Sequence, residues 1–139
     1  MGSKLDNWLI ILSNEYNKPI EFKWGVDDCC LFSANIVKKL TNIDIAETFR
    51  NKYSTPKGAF LEIKKHGYKN VLDCADGQAT KHGFKSIDIN LAQKGDVVMA
   101  YFDDRQTIGI MLNNEGWFIG SKGYVYRKRK ELHKAWAIR

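Results

Sequence analysis

The residues of this chain best placed to do chemistry lie in one stretch, Trp24-Gly25-Val26-Asp27-Asp28-Cys29-Cys30-Leu31-Phe32. An extended piece from Ile20 to Trp24 meets a glycine, then two acidic residues, then cysteine, then an apolar-periodic run to Leu40. That order predicts a tight turn feeding a helix, with Asp28 as its N-cap. Cys29 then stands at the positive end of the helix dipole, where a thiol ionises most readily and can serve as a nucleophile. The adjacent carboxylates of Asp27 and Asp28 oppose that ionisation. Without a base, Cys29 reads instead as a small buried hydrophobe, its thiol titrating at ~8.5 or above and alkylating slowly. Cys30 and Cys74 read as core.

A cysteine nucleophile needs a positioned base within hydrogen-bond reach. The histidines are His66, His82 and His133, all distant in sequence from Cys29. His82 is the leading candidate base, because it precedes the second half of the chain from a polar loop; each of the three also reads as a surface or capping residue. No C-x-x-C pair occurs and the histidines lack ligand spacing, so neither a metal nor any other cofactor is expected. Three cysteines, two of them adjacent, do not make a disulfide framework and point to a reducing compartment.

A second cluster is the basic tract Arg127-Lys128-Arg129-Lys130, which follows Tyr124 and Tyr126. Basic and aromatic residues on one strand can bind single-stranded nucleic acid. The same composition also protects an exposed edge strand from aggregation. No nucleic-acid motif accompanies the tract.

These residues need elements to hold them. The chain has 139 residues, 44% hydrophobic and 12% aromatic, which fits one domain with a sizeable core. Apolar residues at Leu5, Trp8, Leu9, Leu12 and Tyr16 predict a helix ended by Pro19. The run after Asp28 predicts a central helix, its small Ser33 and Ala34 allowing close packing. Ala46 to Tyr53 and Pro56 to His66 read as two further helices, the latter with Thr55 as N-cap and Gly67 as C-cap. Asn70 to Cys74 adds a turn that Asp76-Gly77 breaks. After residue 84 the periodicity changes to strands near 84–89, 97–102, 107–112, 117–121, 124–129 and 135–138, spaced as an antiparallel meander. The expected class is α+β: one domain over 1–139, helices in about 4–76 packed on an antiparallel sheet or half-barrel in about 84–139.

The net charge of +6, from 22 basic and 16 acidic residues, favours anionic partners only mildly. No apolar run approaches the roughly 18 residues of a membrane span. No signal peptide is visible, since Asp6 and Asn7 follow the first lysine.

Three short motifs together carry a resemblance. Asp28-Cys29-Cys30-Leu31-Phe32 after a Trp-Gly turn, Gly95-Asp96-Val97-Val98 opening a strand, and Thr107-Ile108-Gly109-Ile110 returning from a hairpin resemble the NlpC-type cell-wall peptidases of the papain-like superfold. From about Pro19 onward the chain also looks like small phage and prophage relatives encoded among tail-assembly genes, with a Trp-Gly-x-Asp-Cys motif. The resemblance implies a papain-like fold with Cys29 in the nucleophile position. It places Thr107 where that family has its histidine and Ile119-Gly120 where it has a third, orienting residue. Threonine cannot take a proton from a thiol near neutral pH, so the implied cleft, with Trp24, Asp28 and Thr107 around Cys29, is vestigial. The first reading is a non-catalytic pseudoenzyme with a structural or assembly role among phage tail proteins, located in the virion tail or in the host cytoplasm during assembly. The second is an active cysteine peptidase or amidase on peptidoglycan peptides. The third is a nucleic-acid or partner-protein binder using the basic tract.

Overall fold

The computed structural model describes residues 10–11, 13–14, 22–120 and 123–138. The expected first helix lies largely outside them, although Ile10, Ile11, Ser13 and Asn14 are helical. Ile20, Glu21, Ser121 and Lys122 also lie outside. Of the extended piece before the cysteines, Lys23 makes one antiparallel bridge with Asp27, and the intervening residues turn.

Helix α1 spans Leu31–Thr41 and is the central helix the small residues anticipate. Leu31, Phe32, Ser33, Ala34, Ile36 and Val37 are all buried, and the helix packs on the sheet. Asn42 ends it in the left-handed region, returning its N–H to the Lys38 carbonyl. Lys38 and Lys39 in the last turn oppose the negative end of the dipole.

No helix forms over Ala46 to Tyr53, contrary to the periodicity. The segment is a succession of turns instead. Asn51 adopts a φ of 59° and donates its N–H to the Gly25 carbonyl, a long-range bond that takes the place of helix continuation. Helix α2, Pro56–Lys65, has the expected Thr55 cap, whose side chain accepts from the Gly58 N–H.

Helix α3 spans Val71–Lys81 and runs through Gly77 where a break is expected. A Cβ at Gly77 would lie 2.4 Å from Cε1 of Tyr68, so the glycine admits a ring rather than ending a helix. Gly→Ala in a helix interior ordinarily stabilises by about 0.5–1 kcal/mol. Here Gly77→Ala is expected to destabilise by about 1 kcal/mol or more, because the ring must move. Urea titration of the two chains reads the sign of the change directly.

The sheet holds six strands: β1 Lys85–Ile87, β2 Val97–Phe102, β3 Arg105–Met111, β4 Glu115–Gly120, β5 Gly123–Lys128 and β6 Lys134–Ala137. All pairings are antiparallel, in the order β1-β6-β2-β3-β4-β5. Strands β2 to β5 form the expected meander, while β6 returns to insert between β2 and β1. The β2–β3 hairpin is tighter than the anticipated loop over Asp103 to Gln106. Phe102 pairs with Arg105, leaving Asp103 and Asp104 as the turn, with Asp103 at φ 57°.

Both faces of the sheet are covered, which is why β2 lacks polar alternation. Val97, Met99, Ile108, Ile110, Trp117 and Trp136 join the α1 side chains Phe32, Ile36 and Val37 in one core. Val98, Ala100, Met111, Phe118 and Ala135 face the other way, where Ala92 and Leu132 lie against them. The buried Asp96 carboxylate accepts from the N–H groups of Gln93 at 2.9 Å and Ile138 at 3.0 Å. It fixes the expected turn at Gly95 and also anchors the chain after β6.

Candidate functional site

The site is built around Asp28, which is wholly buried. Its Oδ1 accepts from the N–H of Cys30 at 3.0 Å and of Leu31 at 2.9 Å. Its Oδ2 accepts from the N–H of Gly25 at 3.0 Å and from the Tyr53 hydroxyl at 2.5 Å. Gly25 is at φ 83°, and a Cβ there would meet the Tyr53 carbonyl oxygen at 2.1 Å, so only glycine fits. Asp28 thus caps the helix as expected, but from further away. Cys30 holds the N-cap position and α1 begins at Leu31, which leaves Cys29 in the turn before the helix.

Cys29 is half-buried between two hollows. One is an apolar chamber of about 200 Å³ between the helices and the sheet, open to solvent near Phe60. The other is a cleft of about 370 Å³, which Cys29 shares with Trp24, Arg105, Thr107, Ile119 and Gly120. Cys29, Thr107 and Ile119-Gly120, far apart in sequence, therefore meet at one cleft. Trp24 stands there in edge contact with Phe22 at 5.1 Å. Asp28 sits behind the cleft and lines the chamber.

The thiols differ sharply. The Cys30 S–H donates to the Cys29 sulfur, and this bond is the main cause that lowers the Cys29 pKa. Burial and the Asp28 carboxylate oppose it, and the Arg105 guanidinium assists. The net direction is downward, against the expectation of an ordinary or raised value, because a neighbouring donor outweighs the carboxylate. The same hydrogen bond, then burial and the Cys29 charge, raises Cys30 well above the usual thiol range.

Cys74 on α3 is pushed up to about 12, mainly by burial and secondarily by Asp73. A thiol with a raised folded pKa favours the folded state below its unfolded value, 9.0, and that contribution fades as pH climbs toward 12. Tyr53, raised by burial and Asp28, acts in the same direction at higher pH. Stability should fall between pH 9 and 12, by at most a few kcal/mol for Cys74. Cys74→Ala should flatten the slope in denaturant titrations across that window.

No histidine lines the cleft or the chamber among the described residues. His82 caps the C-terminal end of α3 through its backbone N–H and does not join Cys29. His66 holds its Nδ1 2.9 Å from the Glu62 carbonyl and packs on Phe49. His133 stacks edge-on against Tyr101. The ligand atoms of Asp28, Cys29 and Cys30 lie within 4.8 Å of one another. Each Asp28 oxygen already accepts two hydrogen bonds, so the trio offers a metal little beyond two thiols.

The basic tract is divided in role. The Arg129 guanidinium donates to the carbonyls of Ile89, Ala92 and Asn113, which ties β5 to the loops beneath the sheet. Arg127 lies 4.0 Å over the Phe102 ring. Only Lys128 and Lys130 are exposed. Strand β5 is an edge strand, where charge discourages pairing with other chains.

Sequence reasoning missed Arg105 and Tyr53. Arg105 reaches the cleft because the hairpin is short. Tyr53 lies 25 residues from Asp28, and no local pattern marks the pair. Gln106, also unmarked, accepts from the Leu72 N–H at 2.8 Å and joins the hairpin to α3.

Fold and site define an α+β protein: a six-stranded antiparallel sheet, helices over one face, and a thiol cleft where a helix begins. The chain belongs to the family described as Domain of unknown function (DUF6950), whose model matches residues 3–138. No curated protein and no solved structure matches it. None of the described helices is long and apolar enough to cross a membrane.

Proposed function

We propose that this chain is a papain-like domain of NlpC type that has lost its general base and serves a structural or assembly role in a phage or prophage tail. One observation supports it above the others. Cys29, Thr107 and Ile119-Gly120 line a single cleft, as the resemblance requires, and no imidazole lines it with them. Amide hydrolysis needs a proton delivered to the leaving amine. Thr107, 5% exposed and paired to Ala100 in the sheet, cannot supply it. The assay is release of free amines from muropeptides at high protein concentration. No release is expected, and release abolished by Cys29→Ala would overturn the non-catalytic reading. For the tail role, deleting the gene from its phage or prophage should leave particles with absent or defective tails in electron micrographs. Fully infectious particles with normal tails would refute it.

The second reading, an active cysteine peptidase or amidase on peptidoglycan peptides, draws on the lowered Cys29 pKa and on Arg105 in the cleft. It requires a base that the cleft residues do not provide. The nucleic-acid reading is weakened by the structural ties of Arg127 and Arg129.

A further inference from the structure

We infer that Cys29 and Cys30 form a reversible two-thiol oxidation site whose oxidant is a small hydroperoxide. The inference does not depend on the function proposed above.

The geometry divides the two roles. Both cysteines are half-buried and line the apolar hollow, but only Cys29 also lines the polar cleft. A small oxidant entering the cleft therefore meets Cys29 first. Arg105 lines the same cleft, and its guanidinium can donate to a departing oxygen. The Cys29 and Cys30 sulfurs lie within 4.8 Å of each other, within reach of a resolving attack after a small side-chain rotation. The hydrogen bond with Cys29, and then desolvation, keep Cys30 protonated until that step.

In the first step the Cys29 thiolate attacks one peroxide oxygen. The O–O bond breaks, and the other oxygen leaves as alkoxide or hydroxide and takes up a proton. Cys29 becomes a sulfenic acid. In the second step the Cys30 sulfur attacks the Cys29 sulfur. The S–O bond breaks, and hydroxide leaves with the Cys30 proton as water. One hydroperoxide is reduced to an alcohol or water, and two thiols are oxidised to one disulfide.

A disulfide between neighbours is strained. Consecutive Cα atoms lie about 3.8 Å apart, below the ~4.4 Å lower limit of ordinary disulfides. Strain makes such a bond easy to reduce, so the site is reversible. The bond also pulls on the N–H groups of Cys30 and Leu31 that Asp28 holds, which couples oxidation to the start of α1.

The test treats the full chain with hydrogen peroxide at neutral pH and follows intact mass and dimedone labelling. Wild type should lose two hydrogens, take up no dimedone, and recover with dithiothreitol. Cys30→Ser keeps a hydrogen-bond donor but cannot resolve, so dimedone should label Cys29. Cys30→Ala should trap the same adduct more slowly, and Cys74→Ser should behave as wild type. Circular dichroism of each variant establishes that it is folded. Equal dimedone labelling of wild type and Cys30→Ser would overturn the proposal. So would a loss of two hydrogens that disappears in Cys74→Ser, or no oxidation of Cys29 under excess peroxide.

Discussion

Asp28→Ala is expected to lower the unfolding free energy by about 3–5 kcal/mol, a large share of the 5–15 kcal/mol typical of a domain. The carboxylate accepts from three backbone N–H groups and one phenol, and it is wholly buried. Truncation leaves these donors facing a small apolar void. An unsatisfied buried donor costs about 1–3 kcal/mol, and partial relaxation keeps the total below a simple sum. Asp28→Asn should cost less, since the amide keeps one acceptor oxygen while its NH₂ faces donors on the other side. Tyr53→Phe should cost about 1–2 kcal/mol, and the pair should be strongly coupled in a double-mutant cycle. Denaturant midpoints measure all three. A change under ~1 kcal/mol for Asp28→Ala would show that the turn is held by something else.

The second large effect is thiol selectivity. At pH 7 iodoacetamide should modify Cys29 first, with Cys30 and Cys74 far behind it. The thiolate is the reacting species, and a thiol near 12 rather than 9 holds about a thousandfold less of it. Cys30 is suppressed in the same direction by the bond it donates. Cys30→Ala removes the donor and should slow Cys29 severalfold, whereas Cys30→Ser should largely preserve its rate. Peptide mapping after brief alkylation assigns each site. Equal labelling of Cys29 and Cys74 would contradict the hydrogen-bond arrangement. The result bears on chemistry without deciding catalysis, because a reactive thiol lacking a proton donor for the leaving group remains a poor amidase.

The helical run after Cys30, the Thr55-Pro56 start of α2 and the alternation from Val97 onward were readable because each rests on neighbours within a few residues. The misjudged positions share one cause. Gly77 looked like a breaker and proved to be a slot for Tyr68. Ala46 to Tyr53 looked helical and was drawn into turns by the bond from Asn51 to Gly25. Arg129 looked like part of a free basic surface and is a clamp on three carbonyls. At Gly77 and over Ala46 to Tyr53 a tertiary contact outweighed a local preference of about 1 kcal/mol or less.

By itself the sequence determined the α+β order of elements, the carboxylate of Asp28 at the start of the central helix and the thiol beside it. These follow from residue identity and short-range spacing. Only the tertiary structure decided that Cys29, Thr107 and Ile119-Gly120 meet, that His82 does not join them, and that Arg105 and Tyr53 come to the same turn. Hydrogen bonding and burial fall off within a few ångströms of space, and separation along the chain does not report that distance.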